Sequence, residues 1–246
     1  MSVENPSNIE VMAGNMTSIP KRSNLIAARS RRRDLTELIA AYGLILLVVW
    51  TPRPWQKMLW WVAAISIAAI ASASFEGMKA MGLGAKNFFR SLWVVGGALL
   101  VAAAAVALAA ALRTLRMPAS PALFVKTYVG YAIWAFVQQF LLQCFFLSRL
   151  LRLLPNARIA AVASAVIFAA AHLPNPILVP VTLFWGLASC LLFLRYRNLY
   201  TLAMAHAILG ITIAVTIPGP VDHNMRVGLG YLTYAHTHRA AISAQP

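Results

Sequence analysis

The sequence predicts an all-α protein, a polytopic transmembrane helical bundle of about seven spans. Hydrophobic residues make up 61% of the 246 residues and charged residues only 11%, a composition typical of chains that lie in lipid. Apolar segments close to the roughly 20 residues that a membrane-crossing helix needs recur along the chain. Prolines stand at the joints between these segments, as expected where helices end.

The spans can be justified in chain order. The first begins just after a run of arginines, the third contains small residues that allow close helix packing, and the fourth contains several amides. The first and the fifth are the shortest. We predict spans at 35–50, 58–74, 91–112, 128–151, 157–171, 177–194 and 199–217, which together form a transmembrane domain over 35–217.

The two ends of the chain are expected to be tails. Residues 1–34 lack the apolar core of a signal peptide and contain a basic cluster at Arg29, Arg31, Arg32 and Arg33. Because positive charge flanks the cytoplasmic ends of spans, we expect a cytoplasmic N-terminal tail. Residues 218–246 form the C-terminal tail, whose histidines are expected to be solvated rather than metal-bound.

Charge and cysteine content exclude two other classes of protein. The formal charge is +15, but the basic residues are scattered in short loops between apolar runs, so we expect no nucleic-acid partner. Cys144 and Cys190 both fall inside apolar segments, which disfavours a disulfide framework.

The fourth span contains a polar stripe. At about 100° per residue, Tyr128, Tyr131, Gln138, Gln139 and Gln143 lie on one face of the helix. Lipid cannot satisfy amide and hydroxyl groups, so this face is expected to point into the bundle. This face either stabilises the bundle through hydrogen bonds between helices or lines a polar site.

Two histidines lie in later apolar segments. His172 follows Phe168 at a spacing of four, and His206 lies inside the last span. A neutral imidazole both donates and accepts hydrogen bonds, so these residues favour a polar cavity shared with the amides.

The order of these motifs resembles the CPBP family of intramembrane proteases, which includes the type II CAAX prenyl proteases and bacteriocin-processing or immunity proteins. The stretch Gln138-Gln139-x-x-x-Gln143 corresponds to the first family motif, Phe168-x-x-x-His172 to the second and His206-x-x-x-Gly210 to the third. The resemblance covers about residues 131–215.

The resemblance implies an endopeptidase that hydrolyses a peptide bond in a membrane-associated substrate. It also implies a set of site residues in this chain, with Gln138, Gln139, His172 and His206 at catalytic positions and Tyr131, Gln143, Phe168 and Gly210 at binding positions.

The chain departs from the family at several of these positions. The family has paired glutamates, an arginine and an asparagine or aspartate where this chain has Gln138-Gln139, Gln143 and Gly210. A carboxamide can orient a water but cannot take its proton, and losing a general base typically costs about 10²–10⁴-fold in rate.

Two functions therefore stay open. In the first, the chain is a divergent hydrolase in which His172 or His206 is the general base. In the second, it is a catalytically inactive relative that acts as a membrane binding or chaperone-like protein. The resemblance favours the first.

Few other residues could supply the missing base. The carboxylates nearest to a span are Glu37 and Glu76, and both are expected at the membrane interface. Cys144 points away from Gln138 and Gln139 on the helix wheel, so we expect it to pack as a small apolar residue.

The expected partners are the lipid bilayer and a peptide substrate, prenylated or otherwise lipidated, as the resemblance implies. We expect no metal or other cofactor, because His172 and His206 offer two ligands where a catalytic zinc usually has about three. Zinc held by these two histidines is the alternative. The expected location is a bacterial plasma membrane.

Overall fold

The computed structural model describes residues 30–75, 77–79, 81–85 and 87–234, and over these ranges the chain is a bundle of helices without a strand. The first helix, α1, is described over 30–49. The others are α2 (Arg53–Ala73), α3 (Phe88–Ala111), α4 (Pro121–Phe140), α5 (Ser148–Leu153), α6 (Ala157–Ala170), α7 (Leu178–Tyr196), α8 (Leu199–Thr216), α9 (Gly219–Asp222) and α10 (Gly228–Leu232). A π-helical segment, Leu141–Leu147, joins α4 to α5.

The lengths of these helices confirm the predicted fold class. Among the described residues, five helices are long and apolar enough to cross a membrane: α2, α3, the continuous Pro121–Leu153 rod, α7 and α8. The two predicted spans that were shortest in sequence coincide with α1 and with α6, which has only 14 residues. The chain is therefore an integral membrane protein built as a helical bundle.

Polar residues just before the helices fix where several of them begin. Ser120, Asn156 and Asn198 each accept a hydrogen bond from a backbone N–H in the first turn of α4, α6 and α8. Arg197 has a left-handed backbone (φ 48°) and ends α7. The turn between α7 and α8 is consequently only two residues long.

Helix α8 lies at the centre of the bundle. It packs against α3 and α4, while α6 packs against α7. An apolar helix without a polar face is suited to such a core position, because every side can be buried. The outward side chains of α3, including Phe89 and Leu100, remain exposed on the surface of the bundle, as expected of a helix that faces lipid.

Two arginine–carboxylate pairs tie α1 to α5. Arg149 donates from Nε and Nη2 to Glu37 Oε2 at 2.9 and 2.6 Å, and its guanidinium lies 3.6 Å from the centre of the Phe145 ring. Arg152 binds Asp34 through two hydrogen bonds of 2.8 and 2.7 Å. Glu37 is thus engaged by arginine at one end of the bundle.

We predict that Arg149→Ala lowers the free energy of unfolding by about 3–5 kcal/mol, because it leaves the Glu37 carboxylate without its buried partner. The matched control is Arg33→Ala. Arg33 binds the same carboxylate, but its side chain is 59% exposed, against 2% for Arg149.

The Arg33 variant should lose about 0.3–0.5 kcal/mol, as exposed pairs on one helix do. Unfolding by denaturing detergent, followed by circular dichroism, measures both variants. Equal losses in the free energy of unfolding would show that burial of the Arg149–Glu37 pair does not add to stability.

Candidate functional site

The amides of the fourth span form a hydrogen-bonded chain that crosses three helices. Gln139 Nε2 donates to His206 Nδ1 (3.0 Å), and Gln143 Nε2 donates to Gln139 Oε1 (3.1 Å) and to Ser189 Oγ (3.0 Å). We call Ser189, Gln143, Gln139 and His206 the polar chain. Its two glutamines are 0% and 1% exposed, so the chain links α4, α7 and α8 inside the bundle.

The polar chain determines which nitrogen of neutral His206 carries the proton. Gln139 Oε1 already accepts from Gln143, so the Gln139 amide group turns its NH₂ toward His206. Nδ1 of His206 must then accept, and the neutral imidazole has its proton on Nε2.

His172 has the opposite tautomer. Its Nδ1 lies 2.8 Å from the backbone carbonyl oxygen of Phe168. A carbonyl oxygen can only accept, so Nδ1 donates and Nε2 keeps its basic lone pair. The two imidazoles are therefore chemically different: one offers a proton acceptor and the other a donor.

Phe168 contacts both histidines. Its ring centroid is 4.9 Å from that of His172 and 5.9 Å from that of His206, in edge-on geometry. Gly186 lets this ring lie against α7, because a Cβ there would come within 3.2 Å of Phe168 Cδ1. Phe168, which belongs to the second motif, thus packs against both histidines.

Gln138 and His172 line a cavity of about 80 Å³. Its other walls are apolar or aromatic and come from four parts of the bundle: Tyr42, Ile45, Trp134, Leu141, Leu142, Phe146, Ile167, Phe168 and Ala171. An amide side chain and an imidazole side chain thus line a small cavity with mainly apolar walls.

Tyr131 packs on Gly210. A Cβ at position 210 would overlap the Tyr131 hydroxyl oxygen and lie 2.6 Å from its Cε1, so the hydroxyl rests against the Gly210 backbone. Only glycine leaves room for this contact between α4 and α8.

The structure divides the predicted polar stripe into parts. Gln139 and Gln143 face the protein interior, whereas Gln138 faces the cavity, because adjacent residues of a helix differ by about 100°. Tyr128 lines a second cavity of about 290 Å³, together with Asp222 and Asn224. The single shared face expected from the helix wheel is therefore wrong in detail, although both histidines do lie beside the amides.

The π-helical segment lies directly after Gln138 and Gln139 in the same rod. Gln143 lies within it, and its turns are wider than those of an α-helix. Such segments are frequent at functional sites. Cys144 is buried and its Sγ donates to the Met81 carbonyl (3.1 Å), so it packs away from Gln138 and Gln139 as predicted.

Sequence reasoning missed Ser189 and Trp185 on α7. Ser189 accepts from Gln143 and donates to the Gly186 carbonyl (3.1 Å). Trp185 Nε1 and Gln143 Oε1 are both buried without a hydrogen-bond partner among the described residues. A serine within an apolar span was the available signal, since polar side chains there usually contact other helices.

Histidine, cysteine, aspartate and glutamate form no group of three or more that could hold a metal within the described ranges. Of the two histidines, only His172 keeps an Nε2 lone pair that a metal could use, because Nε2 of neutral His206 carries its proton. The predicted carboxylate Glu76 and the histidines His236 and His238 lie outside the described residues.

Comparison with known families identifies the protein class. Residues 120–212 match the model of the family described as type II CAAX prenyl endopeptidase Rce1-like. This match confirms the resemblance seen in the sequence over part of the chain, and the matched segment contains all eight predicted site residues. No curated protein and no solved structure matched the chain.

We predict that Gln139→Leu destabilises the bundle and that Gln138→Leu does not. The first variant leaves His206 Nδ1 without its donor, at a cost of about 1–3 kcal/mol for an unsatisfied buried group. Gln138 makes no such contact and faces the cavity, so its replacement should stay within about 0.5 kcal/mol of the native chain. Detergent-induced unfolding of the two variants side by side tests this, and similar losses would contradict the polar chain.

Proposed function

We propose that this chain is a divergent intramembrane endopeptidase of the CPBP type, with His172 as its general base. The observation that carries the proposal is the hydrogen bond from His172 Nδ1 to the Phe168 carbonyl. It leaves the basic Nε2 for the cavity that His172 shares with Gln138. Imidazole titrates in the range that general bases need, which a carboxamide does not.

The proposed reaction is hydrolysis of a peptide bond. The Gln138 carboxamide orients a water, and His172 Nε2 takes a proton from it as the water oxygen attacks the carbonyl carbon. The electron pair of the C=O bond moves to the oxygen and forms a tetrahedral oxyanion. When this intermediate collapses, the C–N bond breaks and His172 returns the proton to the leaving nitrogen.

The proposed substrate is a peptide that carries a prenyl group or another lipid. The matched family is described by its action on prenylated CAAX sequences. The apolar and aromatic walls of the cavity support the same class of substrate, because they favour hydrocarbon over a polar peptide.

We also propose that the N-terminus lies in the cytoplasm of a bacterial cell. Arg31 Nη2 donates to the Leu153 carbonyl at 3.2 Å, and the ion pairs of Arg149 and Arg152 lie near the same end of the bundle. Such a concentration of arginine supports a cytoplasmic end under the positive-inside rule.

A second candidate function is binding without catalysis. The amides of Gln139 and Gln143 are bonded to each other, to His206 and to Ser189, so they are engaged within the protein. This observation favours a relative that holds a lipidated peptide without cleaving it, as a membrane chaperone would.

We predict that the native chain in lipid nanodiscs cleaves a farnesylated peptide slowly and that His172→Ala lowers kcat by about 10²–10⁴-fold, because the general base is lost. Cleavage is measured by mass spectrometry of the released peptide. The double variant His172→Ala/His206→Ala gives the background. Native activity no higher than this background would reject the hydrolase and leave the binding function.

A second variant tests whether the missing carboxylates limit the rate of cleavage. Gln138→Glu/Gln139→Glu/Gln143→Arg supplies two carboxylates and a cation that can pair inside the bundle. We expect kcat to rise by about 10²-fold or more over the native chain, because a carboxylate can share the proton transfer.

The control is Gln139→Glu/Gln143→Arg, which builds the buried ion pair but keeps Gln138 in the cavity and should not raise kcat. A triple variant that folds but cleaves no faster than this control would show that the missing carboxylates do not limit the reaction.

A further inference from the structure

The second cavity, of about 290 Å³, lies at one end of the bundle. Its walls come from the α3–α4 connection, the first turns of α4, the end of α8 and the segment around α9. The lining residues are Arg116, Tyr128, Ala214, Asp222, Asn224 and Met225. None of them lines the cavity of Gln138 and His172. The volume is near the lower limit of about 300 Å³ for ligand sites.

Asp222 brings a carboxylate with an unused oxygen to this cavity. The residue is 0% exposed. Its Oδ1 accepts a hydrogen bond from the Asn224 backbone N–H at 2.9 Å, whereas Oδ2 has no hydrogen-bond partner among the described residues. A buried carboxylate oxygen without a donor is unfavourable. A ligand that carries both a hydrogen-bond donor and a positive charge therefore gains from binding to Oδ2.

Arg116 brings the opposite charge to the same cavity. Its Nη2 donates to the Ile217 carbonyl oxygen at 2.7 Å, and its Nη1 donates to Asn224 Oδ1 at 3.4 Å. Both acceptors are neutral, and the ion pairs of the described residues include neither Arg116 nor Asp222. The guanidinium is thus held in place without a carboxylate partner. The cavity has a cation and an anion in its walls that do not neutralise each other.

A strained turn places Asp222 and its neighbours at the cavity. Residues 223–225 have left-handed backbones, with φ of 52°, 54° and 57°, a conformation that is unfavourable for any residue except glycine. The surrounding structure holds the turn, because His223 stacks on Tyr231 at 4.0 Å between ring centroids and Asn175 Nδ2 donates to the Asp222 carbonyl at 2.8 Å. Strain of this kind is often found where a protein clamps a ligand.

The cavity lies at a level where lipid headgroups are expected. Helix α3 ends, α4 begins and α8 ends around it, and the ends of membrane-crossing helices lie at the edge of the hydrocarbon layer. Leu112 and Met117 flank Arg116 in the chain and are 63% and 56% exposed. These apolar side chains offer contact to acyl chains beside a charged cavity, which favours a lipid over a water-soluble ligand.

We propose that this cavity binds the headgroup of phosphatidylethanolamine, with the ammonium on Asp222 and the phosphate on Arg116 and Tyr128. The headgroup has the two charges that the cavity can pair. Its primary ammonium carries N–H donors for Asp222 Oδ2, whereas the quaternary ammonium of phosphatidylcholine carries none. Since Asp222 is closed off, binding includes a shift of a neighbouring side chain such as the exposed Asn224.

The central test compares lipid headgroups on the native full-length chain. The protein in detergent is titrated with phosphatidylethanolamine, phosphatidylcholine or phosphatidylglycerol of equal acyl chains, and native mass spectrometry gives the Kd of the first lipid bound. We expect phosphatidylethanolamine to bind about 10-fold more tightly than the other two, because only its headgroup donates a charge-assisted hydrogen bond to Asp222. Equal affinity for the three lipids would overturn the proposal.

Asp222→Asn tests whether this preference comes from the cavity. The variant keeps the shape of the side chain and removes its charge, so the affinity for phosphatidylethanolamine should fall about 10-fold, to that of phosphatidylcholine. The control is Arg113→Gln, which removes an exposed charge from the same connection without touching the cavity and should keep the preference. A lower unfolding midpoint of Asp222→Asn with an unchanged lipid preference would show a purely structural carboxylate and overturn the proposal.

Tyr128→Phe gives a second signature that does not depend on Asp222. It removes a hydroxyl from the phosphate side of the cavity, and all three lipids have the phosphate. We expect it to weaken the binding of each lipid by about 3–10-fold and to keep the preference for phosphatidylethanolamine, since one hydrogen bond is lost. Unchanged binding of all three lipids would remove Tyr128 and the phosphate from the site.

A soluble headgroup distinguishes a lipid from a free zwitterion. Phosphoethanolamine without acyl chains should bind the native chain at least about 10-fold more weakly than the lipid, because the apolar contacts are missing. Equally tight binding would overturn the lipid in favour of a soluble ligand. None of these measurements requires peptide cleavage or involves His172, so their outcome is independent of the proposed hydrolase.

Discussion

A bilayer core has no water to hydrogen-bond buried polar side chains, so these groups must find partners within the protein. In this bundle the polar chain from Ser189 to His206 provides such partners. Each of its amides is bonded to a partner on the same or a neighbouring helix. The central helix α8 is thereby held to α4 through His206, and α7 is held to the π-helical segment through Ser189. The same bonds orient the imidazole whose Nε2 proton remains free.

The polar chain also shows how uncharged residues can stand where relatives have charges. The first motif of the family pairs acidic residues with an arginine four positions on, whereas Gln139 and Gln143 pair as amide acceptor and amide donor. The acidic residues and the arginine are replaced together, because a buried arginine without a carboxylate partner would be strongly unfavourable. Charge is instead concentrated near α1 and α5, where Arg149 binds Glu37.

The helices could be predicted from the sequence because apolar length and proline position follow directly from the solvation of the backbone. The sequence also predicted that the fifth span is short, and the corresponding helix, α6, has only 14 residues. The contact between His206 and Gln139 was also expected, because both are polar side chains within membrane spans and lipid cannot form hydrogen bonds with them.

The internal arrangement of the site could not be predicted in the same way. A wheel drawn at a constant angle assumes an α-helix throughout, and it does not predict that Leu141–Leu147 is a π-helix. The contact of Tyr131 with Gly210 and the bond of Gln143 to Ser189 join residues far apart in the chain. Periodicity within one helix shows which face is polar, but not which residue of another helix meets it.

The length of α6 has a consequence for the lipid around the protein. Its 14 residues rise about 21 Å, while the hydrocarbon layer of a typical membrane is about 30 Å thick. The bilayer beside α6 must therefore thin, or else the helix must end below the headgroups. His172 lies just past the C-terminal end of α6, so a bilayer that thins beside this helix brings the headgroup region and its water closer to the imidazole.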